Sequence, residues 1–111
     1  MANAAGLTWL APHELLFSQI IQGQHMGVVA GTDMRADLRE LYTPAHERGM
    51  AHYAVASPDH QAALVVEMDE KPVWLPCRLI SLSGAFESRV TGPIGPCTSA
   101  GWSPDGRWMY F

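Results

Sequence analysis

The stretch Gly101-Trp102-Ser103-Pro104-Asp105-Gly106-Arg107-Trp108-Met109-Tyr110-Phe111 decides how this chain reads. At its centre, Ser103-Pro104-Asp105-Gly106 is a turn in which each residue has its own physical reason. Proline presets φ to about −65° at the first central position. Aspartate suits the second, where its side chain bonds nearby backbone, and the serine hydroxyl does the same more weakly. Glycine accepts the positive φ of a bulge before the next strand. Short apolar stretches flank the turn, Ala100-Gly101-Trp102-Ser103 before it and Trp108-Met109-Tyr110-Phe111 after it. The segment therefore reads as strand, corner, strand.

Working outward, the corner proline is the last of three equally spaced ones. Pro12, Pro58 and Pro104 lie 46 residues apart (58 − 12 and 104 − 58). Apolar runs bracket the earlier two as well. Leu7–Ala11 and Leu15–Phe17 surround Pro12, and Tyr53–Ser57 and Ala62–Val66 surround Pro58. The three prolines are thus expected at equivalent places in successive sheets. The second corner, Ser57-Pro58-Asp59-His60, carries histidine where the third has Gly106. A positive φ there costs a side chain on the order of 1 kcal/mol. Gly106→Val is accordingly expected to destabilise, and His60→Gly to relieve strain. The first corner, Ala11-Pro12-His13-Glu14, keeps only the proline.

The sequence between the hairpins also reads as β. His25–Ala30 and Leu38–Tyr42 are strand candidates, the latter closed by Thr43-Pro44. Helical spacing of Met34, Leu38 and Leu41 competes over Thr32 to Glu47. Later, Val73-Trp74-Leu75 and Arg78–Leu82 form a strand interrupted at Pro76, where a bulge or edge is expected. Ser88–Thr91 is a fourth strand, and Gly92–Pro96 links onward. Four strands per 46 residues is close to the length of a β-propeller blade.

These residues bear a resemblance. Gly101 to Phe111 is similar to the repeat signature of TolB-type, WD-repeat-like β-propellers, in which a tryptophan ends the innermost strand before an SPDG corner and an aromatic strand. Ala54–Asp59 keeps serine, proline and aspartate without the tryptophan and glycine. Cys77–Thr91 resembles the outer hairpin of such a repeat. The resemblance implies an all-β chain of antiparallel four-stranded blades in an incomplete ring. Repeat 1 covers about 6–50, repeat 2 about 51–97 and a partial repeat 3 about 98–111. Pro12, Ser57, Pro58, Asp59, Trp102, Ser103, Pro104, Asp105 and Gly106 become the structural residues of the repeat corners.

Composition narrows the function classes. Nearly half of the 111 residues are hydrophobic and 16% are charged, a globular balance. The net charge of −4 and seven scattered Lys and Arg exclude a nucleic-acid footprint. No apolar run reaches the roughly 20 residues of a membrane helix. The first residues lack a basic stretch ahead of an apolar core, which favours the cytoplasm over secretion. Cys77 and Cys97 show neither CxxC nor metal-ligand spacing and are expected to be free thiols; pairing requires an oxidising compartment.

Candidate chemistry reads as structural. His13, His25, His46, His52 and His60 form no HExxH arrangement, and solvated loop histidines without a metal are expected. Ser57 and Ser103 lack a GxSxG setting, and Asp59 and Asp105 are explained by their turn positions. Gly92–Gly95 lacks the Lys-Ser/Thr of a phosphate loop. Trp9, Trp74, Trp102, Trp108, Tyr110 and Phe111 are expected in the core, with the Trp102 N–H on a nearby backbone carbonyl. The expected function is non-catalytic, a scaffold for protein or ligand with no cofactor. Self-association through open sheet edges is a further expectation. The rival is a regulatory propeller portion of a larger enzyme, such as a prolyl-oligopeptidase-like peptidase or a bacterial serine/threonine kinase.

Overall fold

The computed structural model describes residues 4–12, 14–21, 25–32, 38–44, 49–69, 71, 73–91 and 95–110. Every regular element among them is a strand, so the chain is all-β. β1 (Ala4–Ala11), β2 (Glu14–Ile21), β3 (His25–Thr32) and β4 (Arg39–Tyr42) pair in succession as an antiparallel meander. β5 (Met50–Ala56), β6 (Ala62–Met68), β7 (Arg78–Ser81) and β8 (Arg89–Val90) form a second one. β9 (Gly101–Trp102) and β10 (Met109–Tyr110) make a separate hairpin. One parallel residue pair, Met26 with Met50, joins the two meanders, and the Met26 N–H donates to Gly49 O at 3.0 Å.

The central strands β3 and β6 are apolar runs, not alternating ones, because both of their faces are covered. Each is buried over five consecutive residues, Gly27–Gly31 and Ala63–Glu67. One core joins Leu16, Val28, Ala30 and Tyr42 to Ala51, Ala54, Ala63, Val65 and Ile80, so the two meanders pack on each other. A register shift between Ala51 and Tyr53 lets Ala51 and Ala54 share that face. On the other face of β6, Val66 packs with Cys77, Cys97, Tyr53, Trp74 and Ala100. The second meander thus lies between the first meander and the connector to the β9–β10 hairpin.

The helical alternative over Thr32 to Glu47 gives way to β4, whose Arg39, Glu40 and Tyr42 pair with β3. Residues 33–37 and 45–48 lie outside the described residues. The strand expected across Pro76 splits. Trp74 makes an isolated bridge to Met68, and β7 starts only at Arg78, beyond the proline that cannot donate to a ladder.

Two of the three corners match in register. Ala56 pairs with Ala63 and Val55 with Leu64; 46 residues on, Trp102 pairs with Met109 and Gly101 with Tyr110. The first corner departs from the expectation. Moving Ala56↔Ala63 back by the period would pair Leu10 with Phe17, but Trp9 pairs with Leu15 and Ala11 with Glu14. Pro12 therefore falls in a two-residue connection. The cause is local: positions 11 and 13 carry Ala and His, so no Ser–Asp pair is present to hold a wide corner.

The aromatic residues also divide differently from expectation. Trp9, Trp108 and Tyr110 are 56%, 67% and 59% exposed, outside the core. Trp74 and Trp102 are partly buried, and Phe111 lies outside the described residues.

Candidate functional site

The two Ser-Pro-Asp corners repeat each other bond for bond. Ser57 Oγ donates to Asp59 Oδ1 and Ser103 Oγ to Asp105 Oδ1, each at 2.6 Å. The same carboxylate oxygens accept the Gln61 and Arg107 N–H groups, each at 3.0 Å. The serine hydroxyls accept the Ala62 and Trp108 N–H groups at 3.2 and 3.1 Å. Across each corner, His60 N donates to Ser57 O and Gly106 N to Ser103 O, both at 2.9 Å. Pro58 and Pro104 sit exposed at the tips, while Ser57 and Ser103 are buried beneath. The serine hydroxyl first, then the backbone N–H, holds each aspartate below the usual carboxylate range. Each serine is engaged twice within its own turn, which makes it a turn former and a poorly placed nucleophile.

The fourth corner position takes a positive φ in both copies, 59° at His60 and 74° at Gly106. Histidine has a compensation that was not legible locally. Its Nδ1 lies 2.7 Å from Leu10 O on β1 and donates to it in the tautomer that carries the proton there. One hairpin later Trp102, at a different position, also reaches back, donating its Nε1–H to Val55 O on β5 at 2.7 Å. Gly106 faces Pro58: a Cβ built on it would lie 3.5 Å from Pro58 Cδ. The second and third corners therefore stack on one another. Between the second and third, Ser57, Asp59, Gln61, Trp102 and Asp105 line a hollow of about 170 Å³.

A second polar cluster crosses the join between the meanders. Glu67 on β6 is 2% exposed. Tyr42 of β4 reaches both of its carboxylate oxygens, at 2.8 Å each, so one hydroxyl proton is shared between two acceptors. Arg78 of β7 brings Nε within 3.4 Å of Glu67 Oε1, an ion pair without an aligned hydrogen bond. Its guanidinium also lies over the Tyr42 ring, 5.8 Å from the centroid. Burial first, then the Glu67 carboxylate, pushes the Tyr42 hydroxyl well above the usual tyrosine range. Tyr42 consequently remains a donor throughout the ordinary pH range.

Above this cluster a cleft of about 490 Å³ opens between β4 and the β7–β8 loop. Leu41, Tyr42 and Ile80 contribute apolar walls, and Thr43, Ser81, Glu87 and Ser88 bring polar groups. Phe86 also lines it and stacks against Arg89, whose guanidinium carbon is 5.2 Å from the ring centroid. An open concavity lined by both polar and apolar groups is a candidate ligand site. Sequence reading missed Tyr42, Glu67 and Arg78. The available signal was Glu67 itself, a charge inside the apolar run Ala62–Met68.

The histidines correct the loop expectation. His25 and His52 lie on strands and are half-buried. His25 Nε2 is 2.9 Å from Glu40 Oε2, and His52 packs against Trp74 with ring centroids 5.2 Å apart. Among the described residues no three His, Cys, Asp or Glu side chains gather as a metal site. His13, His46 and residues 92–94 lie outside the described residues. The thiol expectation is overturned. Cys77 and Cys97 form a disulfide with 5.2 Å between Cα atoms, because the connector after β8 returns beside the entry to β7.

No protein-family model matches the chain, and no curated protein matches it in sequence.

Proposed function

We propose that the chain is a segment of a TolB-type, WD-repeat-like β-propeller that serves as a non-catalytic scaffold for protein or ligand. In this reading β1–β4 and β5–β8 are two blades, and β9–β10 opens a third. One observation carries it: the second and third corners share register and hydrogen bonds at an offset of 46 residues. Identical local chemistry at a fixed period is what a repeat architecture produces. The stacking contacts His60–Leu10 and Trp102–Val55 support it, since each ties a corner to the strand one repeat earlier. Full engagement of Ser57 and Ser103 inside their turns favours binding over hydrolysis. The cleft between β4 and the β7–β8 loop is the place this reading assigns to a ligand.

A crystal structure of the chain together with the sequence its gene encodes on either side tests the architecture. The expected result places β1, β5 and β9 side by side around a common axis. A closed two-sheet sandwich overturns it. Hydrolysis assays on ester and peptide substrates test the rest of the reading. Turnover that is lost in Ser57→Ala or Ser103→Ala would overturn the non-catalytic assignment.

A further inference from the structure

We infer that the Cys77–Cys97 disulfide is a redox-dependent lock on the β9–β10 hairpin, separable from the stability of the rest of the fold. This inference rests on the placement of that hairpin and not on the propeller reading. β9 and β10 have two residues each, and an isolated two-stranded hairpin is marginal in water. Trp108 and Tyr110 on its outer side are 67% and 59% exposed, so little apolar burial holds it. Besides the Trp102 indole bond to Val55 O and the contact of Gly106 with Pro58, its position is held by the connector that precedes it. There Cys97 N donates to Leu75 O at 3.0 Å, and the Tyr53 hydroxyl donates to Thr98 O at 3.2 Å. The disulfide is the covalent member of this set. It joins the connector to Cys77, next to Val66 on the far face of β6. The first meander and the core it shares with the second lie on the opposite face of β6.

Opening the lock is a two-electron reduction by a dithiol. A dithiol thiolate attacks the Cys97 sulfur, the more accessible of the pair at 5% exposure against 1% for Cys77. Cys77 leaves as a thiolate and takes a proton. The second dithiol sulfur then closes a cyclic disulfide and releases Cys97 as a thiol. The dithiol has lost two electrons and the protein has gained two thiols. Low exposure at both sulfurs makes this reaction dependent on opening of the connector.

The repeat supplies an internal control. The amides of Gly106 and Trp108 make in the third corner the bonds that His60 and Ala62 make in the second. Amide hydrogen exchange of the whole chain is followed by NMR before and after dithiol treatment, with thiol titration in parallel. On reduction, exchange at Gly106 and Trp108 is expected to accelerate about tenfold or more, with His60 and Ala62 changing by less than about twofold. Cys97→Ser is expected to show the fast pattern without any reductant, and Cys77→Ser likewise. Two free thiols in protein purified without reductant would overturn the inference. So would unchanged exchange at Gly106 and Trp108. Equal acceleration at both corners would also overturn it, because the bond would then be a general staple and not a lock on one hairpin.

Discussion

The indole N–H of Trp102 donates to the carbonyl oxygen of Val55 at 2.7 Å, across 47 positions of sequence. It links β9 to β5, whose corner shares the register of the β9–β10 corner at an offset of 46 residues. Trp102→Phe keeps a ring but removes the donor. It is expected to lower stability by about 1 kcal/mol. Trp102→Ala should cost more, because the packed ring area goes too. Urea denaturation of the three proteins checks the order. A Trp102→Phe midpoint equal to that of the parent would show that Val55 O is satisfied another way.

Gly106 and His60 hold the same positive-φ position with different residues. Gly106→Val places a β-branched side chain there and is expected to cost about 1–2 kcal/mol or more. His60→Gly relieves strain but loses the bond to Leu10 O, two effects of about 1 kcal/mol each and opposite sign. It should fall within about 1 kcal/mol of the parent. Thermal unfolding of both variants decides. A larger loss for His60→Gly than for Gly106→Val would mean that the Leu10 contact outweighs backbone strain.

Asp59 and Asp105 are depressed by the serine hydroxyl and by one backbone N–H. A folded carboxylate below its unfolded value stabilises above the ordinary range, near about pH 4, and loses that contribution as pH falls through the folded value. Stability should therefore fall as pH drops from 5 toward 2. In the double variant Asp59→Asn/Asp105→Asn that slope should be shallower. Chemical denaturation across this range is the measurement, and identical slopes would remove the corners as the acid-sensitive element.

Tyr42 and Glu67 are buried together, and the tyrosine hydroxyl is raised above its usual value of 10.0. A folded acid raised in this way contributes stability in full below pH 10 and loses it as pH rises further. Alkaline unfolding above pH 10 should be partly relieved in Tyr42→Phe. At neutral pH the same variant leaves the Glu67 carboxylate without its tyrosine donor and should cost about 1–3 kcal/mol. Arg78→Met also leaves the Glu67 carboxylate as an uncompensated buried charge, with an expected loss on the order of 3 kcal/mol. Denaturation at pH 7 and an alkaline titration by tyrosinate absorbance separate the two effects.

Gly27 on β3 lies under the Glu40 side chain, which crosses it to reach His25. A Cβ there would collide with Glu40 Oε2 and come within 2.9 Å of the Tyr42 carbonyl oxygen. Gly27→Ala should destabilise by about 1–3 kcal/mol, although alanine suits an extended backbone. Glu40→Ala in the same chain removes the side-chain part of the clash and should recover some of the loss. No recovery would assign the cost to the Tyr42 backbone.

The corners were legible because their chemistry is local. Serine, proline, aspartate and a positive-φ residue act within six consecutive positions, and the equal spacing of Pro58 and Pro104 reports a real equivalence of register. The same spacing misled at Pro12. There the residues that bond the corner are missing, and β1–β2 settled on a tighter turn. Trp102 was readable as an anchor because a partly buried indole needs an acceptor. Trp9, Trp108 and Tyr110 read equally well as core, yet they lie outside it, since apolar character does not say which faces are covered.

What the sequence by itself determined is the set of interactions closed within a few residues: an all-β chain, its turns and the wide Ser-Pro-Asp corners. The tertiary structure alone decided the contacts between segments far apart in the chain. These include Cys77 with Cys97, Tyr42 with Glu67, and His60 with Leu10. In sequence Cys77 and Cys97 read as free thiols and His60 as a loop histidine, and the Tyr42–Glu67 pairing was not read at all. Each acquired its role only when strand pairing brought it beside a complementary group, because desolvation and long-range hydrogen bonding depend on packing that no local pattern encodes.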